Sequence, residues 1–285
     1  MDTQLMDLIY ASIIGLLVGS FLNVVIYRLP RALMDFWEGR HPDPVQHIEG
    51  QMPSPYACLI SPPSTTPCCD HRLQWYENIP VLSWLWLRGK CRYCSKAITA
   101  RYMLVEVATA IAFFTAIWVY GLTWTGVFYC AFFSLAISLF FIDLETYLLP
   151  DGLTLLLLWL GLVGSALEVL PNGAKEAVIG AVFGYLLPFS INALFCLIRK
   201  KNGFGGGDFK LLAALGAWLG AVSIVPILGL ASILALVTTG LSMLIRGEKI
   251  ALQKMLPFGP FLLLAGVGML IFHGEKLIWV WMLPG

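Results

Sequence analysis

Apolar stretches of about twenty residues recur along this 285-residue chain. That is the length a helix needs to cross the hydrocarbon core of a bilayer. They fall at 8–27, 102–119, 124–142, 152–170 and 177–198. The stretch 211–245 is too long for one span and is interrupted over 221–226, so it reads as two short helices, with a single kinked helix as the competing reading. A last span over 256–272 brings the expectation to an all-α polytopic membrane protein of about eight transmembrane helices. Composition agrees, since only 12% of the residues are charged against about 25% in soluble domains. So little polar surface requires lipid as the solvent. No basic region precedes 8–27 and no small-residue cleavage site follows it, so this stretch reads as a retained span rather than a signal peptide.

The cations set an orientation. Arg28, Arg31, Arg40, Arg72, Arg88, Lys90, Arg92, Lys96 and Arg101 lie between the first two spans. Arg199, Lys200, Lys201 and Lys210 follow the fifth, and Arg246, Lys249 and Lys254 follow the seventh. With eight spans these share one side, leaving Lys175 and Lys276 opposite. The positive-inside rule places the larger set in the cytoplasm and both termini outside. A net charge of +1 without a long basic run gives no reason to expect nucleic acid as a partner.

The chain divides into a first helix, 1–27, a polar insert, 28–101, and a membrane core, 102–285. The insert carries five of the seven cysteines and is rich in proline. In a reducing cytoplasm such thiols point to metal rather than to disulfides. Cys91 and Cys94 form a C-x-x-C pair, the spacing at which two thiolates grip one tetrahedral zinc. The upstream half is irregular: Cys68, Cys69 and then His71. Adjacent cysteines are expected to diverge, so either Cys68 with His71, or Cys69 completed by His71, would supply the other ligands. Cys130 and Cys196 lie inside spans and read as small apolar packing residues.

Carboxylates near a bilayer are costly unless paired or functional. Asp143, Glu145 and Asp151 share a loop without Lys or Arg. Asp151 follows Pro150 and reads as the N-cap of the next helix, and Glu145 as a solvated side chain. Asp143 directly follows an apolar run, at the membrane boundary. A second carboxylate, Asp208, closes Gly203-Phe204-Gly205-Gly206-Gly207 and precedes Lys210. Four glycines there permit unusual backbone angles and close approach of another chain. Two carboxylates in one site cannot both ionise cheaply, which yields the acid and base needed to activate water against an amide. No serine or cysteine nucleophile with a partner base occurs in a comparable setting. His41, His47 and His71 lie in the insert and His273 on the outer side. Gly15 with Gly19 and Gly216 with Gly220 read as close helix-packing faces, and Asn23 and Glu106 as helix-to-helix hydrogen bonders.

These residues resemble the bacterial type IV prepilin peptidases, the leader peptidase/N-methyltransferases. The likeness rests on Gly19-Ser20-Phe21-Leu22-Asn23 through Arg28-Leu29-Pro30, and on Trp75-Tyr76-Glu77-Asn78-Ile79-Pro80-Val81-Leu82-Ser83-Trp84 followed by Arg101-Tyr102. It continues through Asp143 to Pro150-Asp151 and Gly205-Gly206-Gly207-Asp208-Phe209-Lys210. The resemblance implies that Asp143 and Asp208 are the catalytic pair, with Gly205, Gly206, Gly207 and Lys210 as substrate-loop candidates. It implies prepilin or type II secretion pseudopilin substrates, whose leader is cut after a glycine. It also implies methylation of the new amino terminus from S-adenosylmethionine, associated with the insert. The setting would be a bacterial inner membrane, with the catalytic loops facing the cytoplasm. The family's insert has two C-x-x-C pairs, and aligning on Asn78-Ile79-Pro80 puts Thr66 where the first cysteine belongs. The zinc set implied is then Cys69, Cys91 and Cys94, with Cys68 or His71 as the fourth ligand.

The rival from another class is an ion-coupled transporter, since intramembrane carboxylates and broken helices also mark ion paths. It predicts carboxylates near the bilayer midplane and an internal repeat. Here the acids lie at the boundary, and no repeat links the halves. A zinc-binding assembly scaffold would need the insert but not the aspartates.

Overall fold

The computed structural model describes residues 3–39, 55–59, 65–66, 68–69, 71–72, 79–200, 205–246 and 256–282, with backbone only at 3, 246 and 272–282. Sequence readings that fall on Arg40, His41, His47, residues 75–78, Lys201, Gly203, Phe204, Lys249 and Lys254 lie outside these residues. The helices are α1 (Thr3–Trp37), α2 (Leu82–Trp86), α3 (Arg101–Tyr120), α4 (Trp124–Thr146), α5 (Asp151–Ala166), α6 (Ala174–Arg199), α7 (Gly206–Leu219), α8 (Ile224–Arg246) and α9 (Gly259–Met282). The described residues contain no strand, only two isolated antiparallel bridges. Five helical stretches among them are long and apolar enough to cross a membrane: Gln4–Trp37, Arg101–Tyr120, Trp124–Thr146, Ala174–Arg199 and Ala221–Ile245. Helix α5 and the 259–271 part of α9 are apolar but shorter. The chain forms two compact units, Met1–Ser138 and Leu139–Gly285.

In the first unit α1 packs against α3. A Cβ on Gly15 would stand 2.8 Å from Cα of Ala110, and one on Gly19 would stand 2.7 Å from Cα of Glu106. The expected glycine face is therefore a backbone-to-backbone crossing. Helix α1 outruns the expected 8–27 by a further ten residues, through Pro30 to Trp37. Leu29 and Leu33 are buried in that extension, beside the 3-10 turn Pro55–Leu59. Packing outweighs the one backbone bond that Pro30 removes. Helix α1 thus runs on into the stretch expected to open the insert.

The described part of the insert holds two small turns. The bridge between Thr65 and Arg72 closes one, and the bridge between Lys90 and Ala97 closes the other. Each is tied by a backbone bond, Thr66 N–H to His71 O at 2.8 Å and Cys91 N–H to Lys96 O at 2.8 Å. The cysteines occupy the two tips.

In the second unit α7 is the buried element. From Leu211 to Trp218 every residue is buried, as expected of a helix that is apolar all round. Its neighbours reach it through small residues. The backbones of Gly180 on α6 and Gly216 on α7 are in direct contact, and a Cβ on Gly161 of α5 would lie 2.7 Å from the Trp218 ring. Trp218 Nε1 donates to Leu157 O at 2.8 Å. Helix α7 stops at Gly220, whose φ of +76° favours glycine. A 3-10 turn, Ala221–Ser223, separates it from α8, so 211–245 is two helices rather than one with a kink. Gly220 has open space around its Cβ position. It ends α7 and also shares the expected packing face with Gly216, since a Cβ on Gly180 of α6 would stand 3.0 Å from Gly220 C. Helix α6 shows apolar side chains outward along its length, among them Val178, Val182, Leu186, Leu194 and Leu197. Such a surface calls for lipid.

Candidate active site and cysteine cluster

Asp143 lies in the last turn of α4 and is 4% exposed, between wholly buried Leu139 and Ile142 on one side and the chain reversal on the other. The helix ends three residues later. Tyr147, at φ +56°, donates its N–H to Asp143 O at 2.9 Å and turns the chain toward α5. The carboxylate is met by the start of α9, where Gly259 N–H donates to Asp143 Oδ2 at 3.0 Å. The first N–H groups of a helix have no partner within it and favour an anion. A Cβ on residue 259 would lie 2.6 Å from Oδ2, so any other residue would displace the carboxylate.

Asp208 lies in the first turn of α7 and is half-buried. Its N–H donates to Gly205 O at 3.2 Å. A Cβ on Gly205 would stand 3.4 Å from its Oδ2. Leu149 joins the two acid-bearing segments. A Cβ on Gly207 would sit 2.9 Å from Leu149 Cβ, and one on Gly259 would sit 3.3 Å from Leu149 Cδ1. Leu149 thus lies against Gly207, the neighbour of Asp208, and against Gly259, the partner of Asp143. Gly206 has open space at its Cβ position and is exposed.

The remaining acids are elsewhere. Asp151 is the first residue of α5 and its side chain caps nothing; Pro150 holds the N-cap position. The Asp151 carboxylate instead takes the Lys210 ammonium at 2.6 Å. Lys210 is therefore directed to Asp151 rather than to Asp208. Glu145 is exposed.

In the insert, the sulfurs of Cys68, Cys69, Cys91 and Cys94 all lie within 4.8 Å of one another. Cys94 and Cys68 are 3.0 Å apart, Cys69 and Cys91 3.9 Å, and Cys68 and Cys69 4.0 Å. A tetrahedron of sulfurs at 2.3 Å from zinc has edges of roughly 3.8 Å, so this donor set fits such an ion. The two adjacent cysteines do not diverge as expected, because they share a tight turn. His71 is not among the donors; its ring packs on Tyr93 with centroids 3.5 Å apart. Thr66 is buried, and its hydroxyl lies 3.0 Å from Cys69 Sγ while accepting the His71 N–H. Backbone N–H groups of Cys94 and then Tyr93 hold the Cys91 thiol low, at about 7. That direction favours the thiolate, the form that binds metal.

Residues 13–120 match the bacterial peptidase A24 N-terminal domain, and residues 130–241 match the type IV leader peptidase family. The prepilin leader peptidase/N-methyltransferase of Xanthomonas campestris pv. campestris is 41% identical over 265 residues, which cover 93% of this chain and 91% of the relative. The protein of the same name from Dichelobacter nodosus is 43% identical over 265 residues, 92% and 90% of the two chains. That from Pseudomonas aeruginosa is 42% identical over 263 residues, 89% and 86%. This chain belongs to the type IV leader peptidase family. No solved structure matches it at a significant level.

Two residues of the site escaped the sequence reading of this family member. Gly259 precedes Pro260 at the head of the last span. A proline in the first turn marks a helix start, and with it a set of unpartnered N–H groups. Leu149, one apolar residue beside another in a loop, carries no such signal.

Proposed function

We propose that this chain is a membrane-embedded aspartic endopeptidase that removes the leader of type IV prepilins or type II secretion pseudopilins after a glycine. It then N-methylates the new amino terminus with S-adenosylmethionine as donor. Membership of a family whose relatives are named prepilin leader peptidase/N-methyltransferase supports both reactions. The transporter alternative is left without support.

The choice of Asp143 and Asp208 rests on one observation. A carboxylate on a residue only 4% exposed is held on a helix N-terminus, and the segment carrying a second carboxylate at the head of α7 approaches the same Leu149. Gly259 occupies Oδ2 of Asp143, so Oδ1 is the oxygen available to a water. The ionised member of the pair takes the proton as water attacks the scissile carbonyl carbon. The protonated member donates to the carbonyl oxygen. As the C–N bond breaks, a proton passes to the departing amine, and the new amino terminus leaves with the pilin's apolar helix. Gly205 and Gly206, the two residues of the described chain that lead into the turn carrying Asp208, have no side chains, which suits the approach of an extended peptide.

Five long apolar helices, with α5, α7 and α9, support a reading of eight membrane-embedded helices. The basic loops, and the acids with them, then face the cytoplasm of the inner membrane. Zinc held by Cys68, Cys69, Cys91 and Cys94 would cross-link the two turns of the insert, a structural use of the metal.

The test is mass spectrometry of a prepilin-type substrate incubated with the purified chain in detergent. Leader loss followed by the added mass of one methyl group is expected. An intact leader at the end of the incubation would overturn the reading.

A further inference from the structure

In the first unit a cavity of about 180 Å³ opens between the insert, the second half of α1 and the start of α3. Asn23 and Glu106 form its helical wall, Trp84 stands on the insert side, and Arg28 and Arg92 also line it. None of these residues takes part in the peptidase site.

Two features of that wall ask for a ligand. Asn23 is 5% exposed; its Nδ2 donates to Tyr102 O at 2.9 Å. Its Oδ1 has no hydrogen-bond partner among the described residues. Buried acceptors in folded proteins are satisfied, and an exception calls for a missing partner. Glu106 is 8% exposed, a carboxylate on an apolar helix, which is a functional position by default. Its Oε2 accepts the N–H of Val81 at 2.7 Å. Val81 is held at φ +59°, a left-handed conformation that a β-branched residue rarely adopts. Strain of that kind persists where the surroundings impose it and clusters at ligand sites. Here it fixes the start of α2, which carries Trp84, and Trp84 is pinned in turn by Nε1 donating to Ile98 O at 3.3 Å.

We propose that this cavity is the binding site for the methyl donor S-adenosylmethionine, with Asn23 and Glu106 accepting its hydrogen bonds and Trp84 providing the aromatic face. The inference rests on the N-methyl transfer proposed above. The chemistry matches on each side. The donor carries a sulfonium, an ammonium, an exocyclic amine and ribose hydroxyls, all of which seek acceptors or negative charge. An indole face attracts an organic cation and equally stacks on adenine. Arg28, whose guanidinium also donates to Cys58 O at 3.0 Å, and Arg92 line the cavity and are suited to the donor's single carboxylate. In the transfer, the substrate's neutral amino nitrogen forms the new N–C bond as the S–CH3 bond breaks. The sulfur keeps the bonding pair and departs as the neutral thioether of S-adenosylhomocysteine, and the methylated nitrogen carries the positive charge. The cysteine turns bear on this site through Cys91, whose residue also lines the cavity.

The probe is S-adenosylhomocysteine, titrated calorimetrically into the full chain in detergent. Wild type is compared with Asn23→Ala, Glu106→Gln and Trp84→Ala, each checked for folding by thermal melting. Wild type should bind, and the variants should bind at least about tenfold more weakly, a loss of one or two contacts. In parallel, ultraviolet cross-linking of radiolabelled S-adenosylmethionine to wild type should label peptides within 79–106. Unchanged affinity in the folded variants, or label confined to 139–282, would overturn the site while leaving methyl transfer intact. Failure of wild type both to bind the probe and to methylate a cleaved prepilin would remove the site and the methyltransferase reading together. Should a variant not fold, the cross-linking map of wild type decides.

Discussion

Gly259 and Asp143 are 116 positions apart in the chain and joined by one hydrogen bond, from the backbone N–H to Oδ2 at 3.0 Å. The bond uses an amide that α9 cannot satisfy internally, and the contact has no room for a β-carbon. Gly259→Ala must push the carboxylate aside. A misplacement on the order of 1 Å at a reacting group costs about 10²-fold in rate, so leader cleavage should fall by about that factor. Gly268→Ala, on the same helix with open space at its Cβ position, should cleave as wild type. Equal rates for both variants in a single-turnover assay would detach Gly259 from the site.

The two aspartates and Asp151 should separate cleanly. Asparagine keeps the size of the side chain but cannot exchange the proton. Asp143→Asn and Asp208→Asn should each lose at least about 10²–10⁴-fold in cleavage, the range of general acid–base catalysis. Asp151 faces solvent in an ion pair with Lys210, and exposed pairs contribute only about 0–1 kcal/mol. Asp151→Asn should therefore cleave within a few-fold of wild type. Leader removal followed by mass spectrometry measures all three, and residual wild-type rates in either of the first two variants would break the assignment.

Much of this was legible because bilayer physics is written locally. An apolar run of twenty residues has few alternatives to a helix, and a charge at its edge stands out, which is how Asp143 and Asp208 could be singled out from sequence. Other features depended on contacts between distant segments. The extension of α1 past Pro30 is decided by what buries Leu29 and Leu33. The route of Lys210 to Asp151 rather than to Asp208 depends on how α5 and α7 approach. The fourth sulfur of the cluster required the fold of a turn, since spacing alone made Cys68 and Cys69 look like competitors. Gly220 has two roles that spacing alone does not separate: with Gly216 it meets Gly180, and its φ of +76° ends α7.

The packing of α7 carries a stability prediction. Gly180 and Gly216 touch backbone to backbone, so Gly180→Val must part α6 from α7. Overpacking of this kind costs about 1–3 kcal/mol. Gly229→Ala, with open space at its Cβ position in the second turn of α8, should instead hold or gain stability, by up to about 1 kcal/mol. Unfolding in detergent followed by tryptophan fluorescence compares the two. A Gly180→Val variant as stable as wild type would contradict the close crossing.

The insert makes the last prediction. With four sulfurs within 4.8 Å of one another and the His71 ring turned to Tyr93, one zinc per chain is expected in protein purified without chelator. Cys68→Ser, Cys69→Ser, Cys91→Ser and Cys94→Ser should each reduce that content, whereas His71→Ala should retain it. A strong chelator should lower the midpoint of thermal unfolding of wild type, because an ion bound by the native state alone stabilises it. The same treatment should leave the midpoint of a metal-free cysteine variant unchanged. Metal analysis with unfolding curves makes the comparison. Full zinc content in Cys68→Ser together with loss in His71→Ala would return the fourth ligand to the histidine, and no bound metal in wild type would leave the cluster as four free thiols.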